Sequence, residues 1–173
     1  MIPAIRWRLL SPTILLGLLG LGWAAPLGAQ EAPEDFGRWL SEVRACRLGG
    51  TPAPALGLRC DSVRLDQQLP GLLSVRFFSR GQGPGPAKRL LVFAGILERG
   101  SPAMACRGGS CQWSSPMRTR VTALADLGVS ERGETTTLPT TRLAQGNCLI
   151  QAKRIRCEAT AEGEGAWWAQ ADR

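Results

Sequence analysis

The chain of 173 residues contains no histidine and no tyrosine. Histidine is the one side chain whose ordinary pKa lies near neutrality. Its absence excludes His-based general acid–base catalysis, Ser-His-Asp and Cys-His nucleophile arrangements, and His-ligated metals. Lysine is scarce as well: Lys88 and Lys153 are the only two, so arginine carries the basic character. An arginine bias of this kind also follows from G+C-rich coding, so by itself it does not argue for a polyanion partner. No C-x-x-C occurs, which removes zinc-ribbon and thioredoxin-like sites. No G-x-S-x-G or S-x-x-K frames a serine nucleophile. No apolar run reaches the length of about 20 residues that a spanning helix needs.

The first residues read as an export address. Arg6 and Arg8 precede an apolar stretch from Thr13 to Trp23, and Leu27-Gly28-Ala29 suits signal cleavage. The expectation is a signal peptide over 1–29 and a single disulfide-stabilised domain over 30–173, periplasmic or secreted. Without Arg6 and Arg8 the 21 basic residues fall to 19 against 14 acidic ones, a charge of about +5 for the processed chain. All six cysteines, Cys46, Cys60, Cys106, Cys111, Cys148 and Cys157, lie in this domain. An even number in an exported chain favours a disulfide framework over metal ligation.

Two pairs can be assigned from register. Around Ala152-Lys153, pairing Cys148 with Cys157 also sets Ile150 opposite Ile155. All four side chains then share one face, while Leu149, Gln151, Arg154 and Arg156 take the other. Counting outward from a two-residue loop, Cys148/Cys157 falls at a non-hydrogen-bonded site, where Cα atoms lie about 4.5 Å apart and a disulfide is just spanned. Upstream, Gly108-Gly109 is a strong primed-turn signal that sets Cys106 opposite Cys111 and Met104 opposite Trp113. Cys46 and Cys60 remain as the third pair.

Glu34 to Arg47 reads as a helix. Phe36, Trp39, Leu40, Val43 and Cys46 or Arg47 recur at helical spacing, Pro33 suits the start and Gly49-Gly50 the stop. Beyond Cys60 the period changes to two. Leu73, Val75 and Phe77 alternate with Ser74, Arg76 and Phe78, and Arg89 to Leu97 is apolar on both faces, as a central covered strand would be. Gly81 to Pro86 reads as a connecting loop, Asp126 to Arg142 as a long loop with a short edge strand, and Ala166 to Gln170 as a last strand. The fold expected is α+β: one N-terminal helix on a small antiparallel β-sheet of five to seven strands with disulfide-closed hairpins.

Few groups suit chemistry. Asp61 with Asp66, or Glu162 with Glu164, would be the carboxylate pairs, both read as solvated and turn-like. Arg118, Arg120, Arg154 and Arg156, with Trp113 and Trp168 nearby, form the candidate binding surface, of the kind that takes a polyanion or stacks a planar ligand. Alternation sends one of Trp167 and Trp168 outward. No catalytic, metal or cofactor residue is assigned. The expectation is a non-enzymatic binding or assembly module meeting another envelope protein or an anionic polymer. The alternatives are an enzyme or enzyme inhibitor acting through 126–142 or the Gly-Gly hairpin, and a basic module for an anionic polymer.

Overall fold

A computed structural model of the protein describes residues 36–50, 59–80, 88–130 and 140–173. The chain divides into units 1–30 and 31–173, and all described residues belong to the second. The segments expected to be a signal peptide (1–29) and a connecting loop (81–86), and most of the threonine run before Thr140, lie outside the described residues.

The α+β expectation is overturned: among the described residues there is no helix, and eleven strands form one curled sheet. They are β1 (Gly37–Glu42), β2 (Ala45–Gly50), β3 (Cys60–Leu69), β4 (Leu72–Arg80), β5 (Lys88–Leu97), β6 (Ala105–Arg107), β7 (Ser110–Gln112), β8 (Met117–Val129), β9 (Thr140–Ile150), β10 (Arg154–Ala161) and β11 (Gly165–Asp172). The sheet order is β2-β11-β10-β9-β8-β5-β4-β3-β1-β7-β6.

The segment expected to be a helix is the strand that closes this sheet. Its first half, β1, pairs antiparallel with β3, and its second half, β2, pairs antiparallel with β11. At the crossover the Val43 amide donates to Asp61 O at 3.1 Å and the Arg44 amide to Asp172 O at 2.8 Å. One N-terminal strand thus spans the seam, and with β3, β4, β5, β8, β9, β10 and β11 it makes eight staves of a barrel. The helical stripe was misleading because two of its members, Phe36 and Leu40, face solvent at 58% and 62% exposure. Trp39, Cys46 and Leu48 are the inward residues, at a strand's period. Pro33 and the acidic pair after it lie outside the described residues.

An eight-stranded barrel is just wide enough for its own side chains to fill. Large inward residues come from β3, β4, β5 and β8: Val63, Leu65, Leu73, Val75, Phe77, Leu91, Phe93, Met117, Val121 and Leu124 are all fully buried or nearly so. Small ones come from β9, β10 and β11, where Ala144, Gly146, Ala159, Ala161, Ala169 and Ala171 take the inner positions. Gly146 belongs to this thin wall by necessity, since a Cβ there would lie 2.0 Å from Glu158 O. β5 is buried on both faces, as its composition implies, because Leu90 and Val92 join Ala125, Leu127 and Val129 in a second cluster on the outer side.

Both local disulfides have the expected register. Cys148 pairs with Cys157 and Ile150 with Ile155, with Cys148 and Cys157 Cα atoms 4.1 Å apart. Gln151 and Arg154 exchange backbone hydrogen bonds of 2.8 and 3.2 Å, so Ala152-Lys153 is a two-residue loop. Neither loop residue has positive φ. What the loop lacks in turn-forming residues is supplied by neighbours: Ser115 Oγ accepts from the Ala152 amide, and Arg173 donates to Ala152 O and Lys153 O. In the other hairpin, Gly108 and Gly109 have φ of 55° and 73°, the primed turn, and Cys106 sits opposite Cys111. The ladder stops at Ala105/Gln112, so Met104 and Trp113 do not pair across it. The third disulfide, Cys46–Cys60, joins β2 to β3 across the seam rather than a helix to a strand.

Two further expectations change. The two described ends of Asp126 to Arg142 are strand rather than loop: β8 continues to Val129 and β9 begins at Thr140, while 131–139, where the short edge strand was expected, lies outside the described residues. Asp66 is not solvated but 9% exposed, on β3 between arginines.

Candidate functional site

Because the inner positions of β8 to β11 are apolar apart from the buried Thr119, alternation forces their arginines outward. The ladder registers align them in rows across the strands. One row runs Arg118, Leu149, Arg156, Gln170, Arg47, from β8 through β9, β10 and β11 to β2. The row above runs Arg120, Asn147, Glu158, Trp168, Gly49, and the row below contains Arg154, Asp172 and Ala45. The two arginine pairs therefore do not sit on adjacent strands, since β9 separates them. With strands about 4.8 Å apart, arginines of the first row stand about 10 Å from one another.

Five arginines on this face meet two carboxylates. Arg154 Nε lies 2.6 Å from Asp172 Oδ1, and Arg156 Nη2 lies 3.0 Å from Glu158 Oε2. Both pairs are exposed, where such contacts contribute about 0–1 kcal/mol, so an incoming anion can displace the carboxylates at little cost. Arg47, Arg118 and Arg120 have no ion pair among the described residues. Trp168, at 42% exposure, stands on the same face, whereas Trp167 packs against the core.

Trp113 is elsewhere. It meets Trp39 edge to face, with ring centroids 5.7 Å apart, and the Arg173 guanidinium lies 4.5 Å from the Trp39 centroid and 5.7 Å from that of Trp113. These three line a shallow hollow of about 350 Å³ beside Ser115 and Ala152. The geometry already couples cation to ring, so this cluster is internally partnered. The Gly-Gly hairpin, one of the segments open to an inhibitory or active role, is tied down: Gly109 O accepts from the Arg38 amide at 2.9 Å, and Ser110 pairs with Arg38 in a short parallel bridge.

A second cationic cluster was not expected. Arg64 on β3 is directly opposite Arg76 on β4, and Asp66 on β3 is opposite Arg38 on β1. Asp66 Oδ2 lies 3.0 Å from Arg64 Nε and 2.6 Å from Arg76 Nε. The Arg76 Nε is buried and, despite that distance, out of hydrogen-bonding alignment. Burial lowers the pKa of Arg76, with Asp66 opposing and Arg64 and Arg38 adding to the depression. Arg64 also lies over the Phe78 ring at 5.4 Å. Sequence reasoning missed this cluster because Arg38 was assigned to a helix. Pro70-Gly71 marks the turn between β3 and β4, but counting outward from it sets Arg64 opposite Phe77; a register shift between Gln67 and Leu69 brings Arg64 opposite Arg76.

Of the other carboxylates, Glu164 lies in the turn after β10 and pairs with Arg142 at 2.5 Å, while Asp126 pairs with Arg89. Among the described residues no group of three or more Cys, Asp or Glu could hold a metal ion. The three disulfides are consistent with an oxidising, extracellular-type compartment.

No protein-family model matches the chain, and no curated protein or solved structure matches it either.

Proposed function

We propose that the protein is an exported, non-enzymatic binding module, acting in the periplasm or outside the cell, that engages an acidic partner through the outer face of β8, β9, β10, β11 and β2. The arginine row Arg118, Arg156, Arg47 carries the reading, with Trp168 beside it as an exposed aromatic anchor. The barrel interior supports it indirectly. Its described inward positions are occupied by packed side chains, so contacts with a partner belong on the outside. The partner is an acidic envelope protein or an anionic polymer, for which regularly spaced cations on a rigid sheet are complementary.

The experiment is equilibrium binding to dextran sulfate, followed by tryptophan fluorescence over a range of NaCl concentrations. Binding driven by counterion release weakens linearly on a log–log plot, by roughly one unit of slope per neutralised contact. The variant Arg118→Gln/Arg156→Gln should lose about tenfold in affinity at about 0.1 M salt and flatten the slope by about two units. Equal affinity and slope in variant and parent, with both folded by circular dichroism, would remove this face from consideration.

A further inference from the structure

We propose that the depression formed by Arg38, Arg64, Asp66 and Arg76 is a specific site for the tetrahedral oxyanion of a phosphate or sulfate monoester. It goes beyond the outer arginine rows, being built on β1, β3 and β4 instead.

The charge balance is the first argument. Two guanidinium groups meet one carboxylate, and Arg38, opposite Asp66 in the ladder, lines the same depression, which leaves two positive charges uncompensated among the described residues of the cluster. Like charges directly opposite across two strands are destabilising, and Arg64 and Arg76 stand in that relation. A protein that only needed to solvate these side chains would gain by placing one of them elsewhere. A dianion between them turns the repulsion into binding energy.

Donor geometry is the second. Arg64 and Arg76 approach Asp66 through Nε. Among the described residues no acceptor pairs with their terminal amino forks or with the Arg38 guanidinium, which leaves them for another acceptor. Such forks match the oxygens of phosphate and sulfate in pairs, which a lysine cannot do. The partial burial that lowers the pKa of Arg76 also means that an anion here would be less screened than on the open sheet.

Shape is the third. The depression holds about 410 Å³ and is walled by Phe36, Gln68 and the hairpin tip at Gly109. That exceeds the size of a bare oxyanion. Phe36, 58% exposed, offers an apolar surface for the group that the ester carries. The hairpin tip is fixed by the Gly109–Arg38 hydrogen bond and by the Cys106–Cys111 bridge, so the wall is preorganised.

The test is titration calorimetry of the full processed chain with inorganic phosphate and, separately, inorganic sulfate, at constant ionic strength in NaCl. Saturable binding of one equivalent in the millimolar range or tighter is expected, where chloride gives none. Arg38→Gln, at an exposed position, should weaken it about tenfold. Asp66→Asn should tighten it severalfold by removing the competing carboxylate, and Arg118→Gln/Arg156→Gln should leave it unchanged, which separates this site from the outer face. Phosphate should bind more weakly at pH 5.5 than at 7.5, as the dianion is lost, with sulfate unaffected. Absence of one-equivalent binding to the folded parent would overturn the proposal. So would unchanged affinity in Arg38→Gln, or a loss in Asp66→Asn that keeps a native near-ultraviolet spectrum.

Discussion

Gln67 is inward-facing, 2% exposed, and its amide substitutes for a missing strand. Its Oε1 accepts from the Met104 amide at 2.8 Å and its Nε2 donates to Met104 O at 3.1 Å. The chain entering the Gly-Gly hairpin is thereby fastened to β3 at two points, both buried. Replacing Gln67 with Met keeps the volume and removes both partners, leaving two buried backbone groups unsatisfied at about 1–3 kcal/mol each. Urea unfolding of Gln67→Met should show a loss of about 2–4 kcal/mol with an unchanged slope. Neither this contact nor the Asp66 cluster was legible in the chain. Gln67 and Met104 are 37 positions apart, and nothing local distinguishes Gln67 from exposed Gln68 beside it. Trp167 and Trp168 were legible as an in–out pair, because there alternation on one strand is enough.

At the scale of the element, what could be read was what is close in sequence. The Cys148 and Cys106 hairpins span separations of 9 and 5 residues, so turn chemistry and alternation determine the register together. β1 and β2 failed the same reading for a physical reason. Their inner positions include Gly37 and Ser41, which blur the apolar alternation, while outward Phe36 and Leu40 happened to complete a helical stripe. Their strand character comes from β3 and β11, partners that lie far along the chain. The three bridges should differ in worth according to the loops they close. Chain-entropy arguments give about 3 kcal/mol for the 14-residue separation of Cys46–Cys60, about 2.6 for Cys148–Cys157 and about 2 for Cys106–Cys111. Paired Cys→Ala variants, compared by thermal unfolding, should lose stability in that order. A Cys106/Cys111 variant that is the least stable of the three would contradict it.

For the whole molecule, the missing histidine becomes a property of the fold. All six cysteines are bridged, and no His or Tyr is present in the chain. Apart from the α-amino group, no side chain with an ordinary pKa near neutrality exists to bind protons differently in the folded and unfolded states. The free energy of unfolding should therefore stay flat between about pH 6 and pH 8, within the error of denaturant titrations. A slope above about 0.5 kcal/mol per pH unit in that window would point to a strongly displaced carboxylate.

The split N-terminal strand also dictates an order of events during folding. Its second half has one strand neighbour in the sheet, β11, which follows every other described strand in sequence. Until Gly165–Asp172 arrives, β2 has no ladder to join and the cylinder stays open along one side. The cylinder therefore cannot close before that strand is available. Premature closure is thus prevented by connectivity alone, and the Cys46–Cys60 bridge, lying at the seam, is placed to lock the cylinder once its final stave is home.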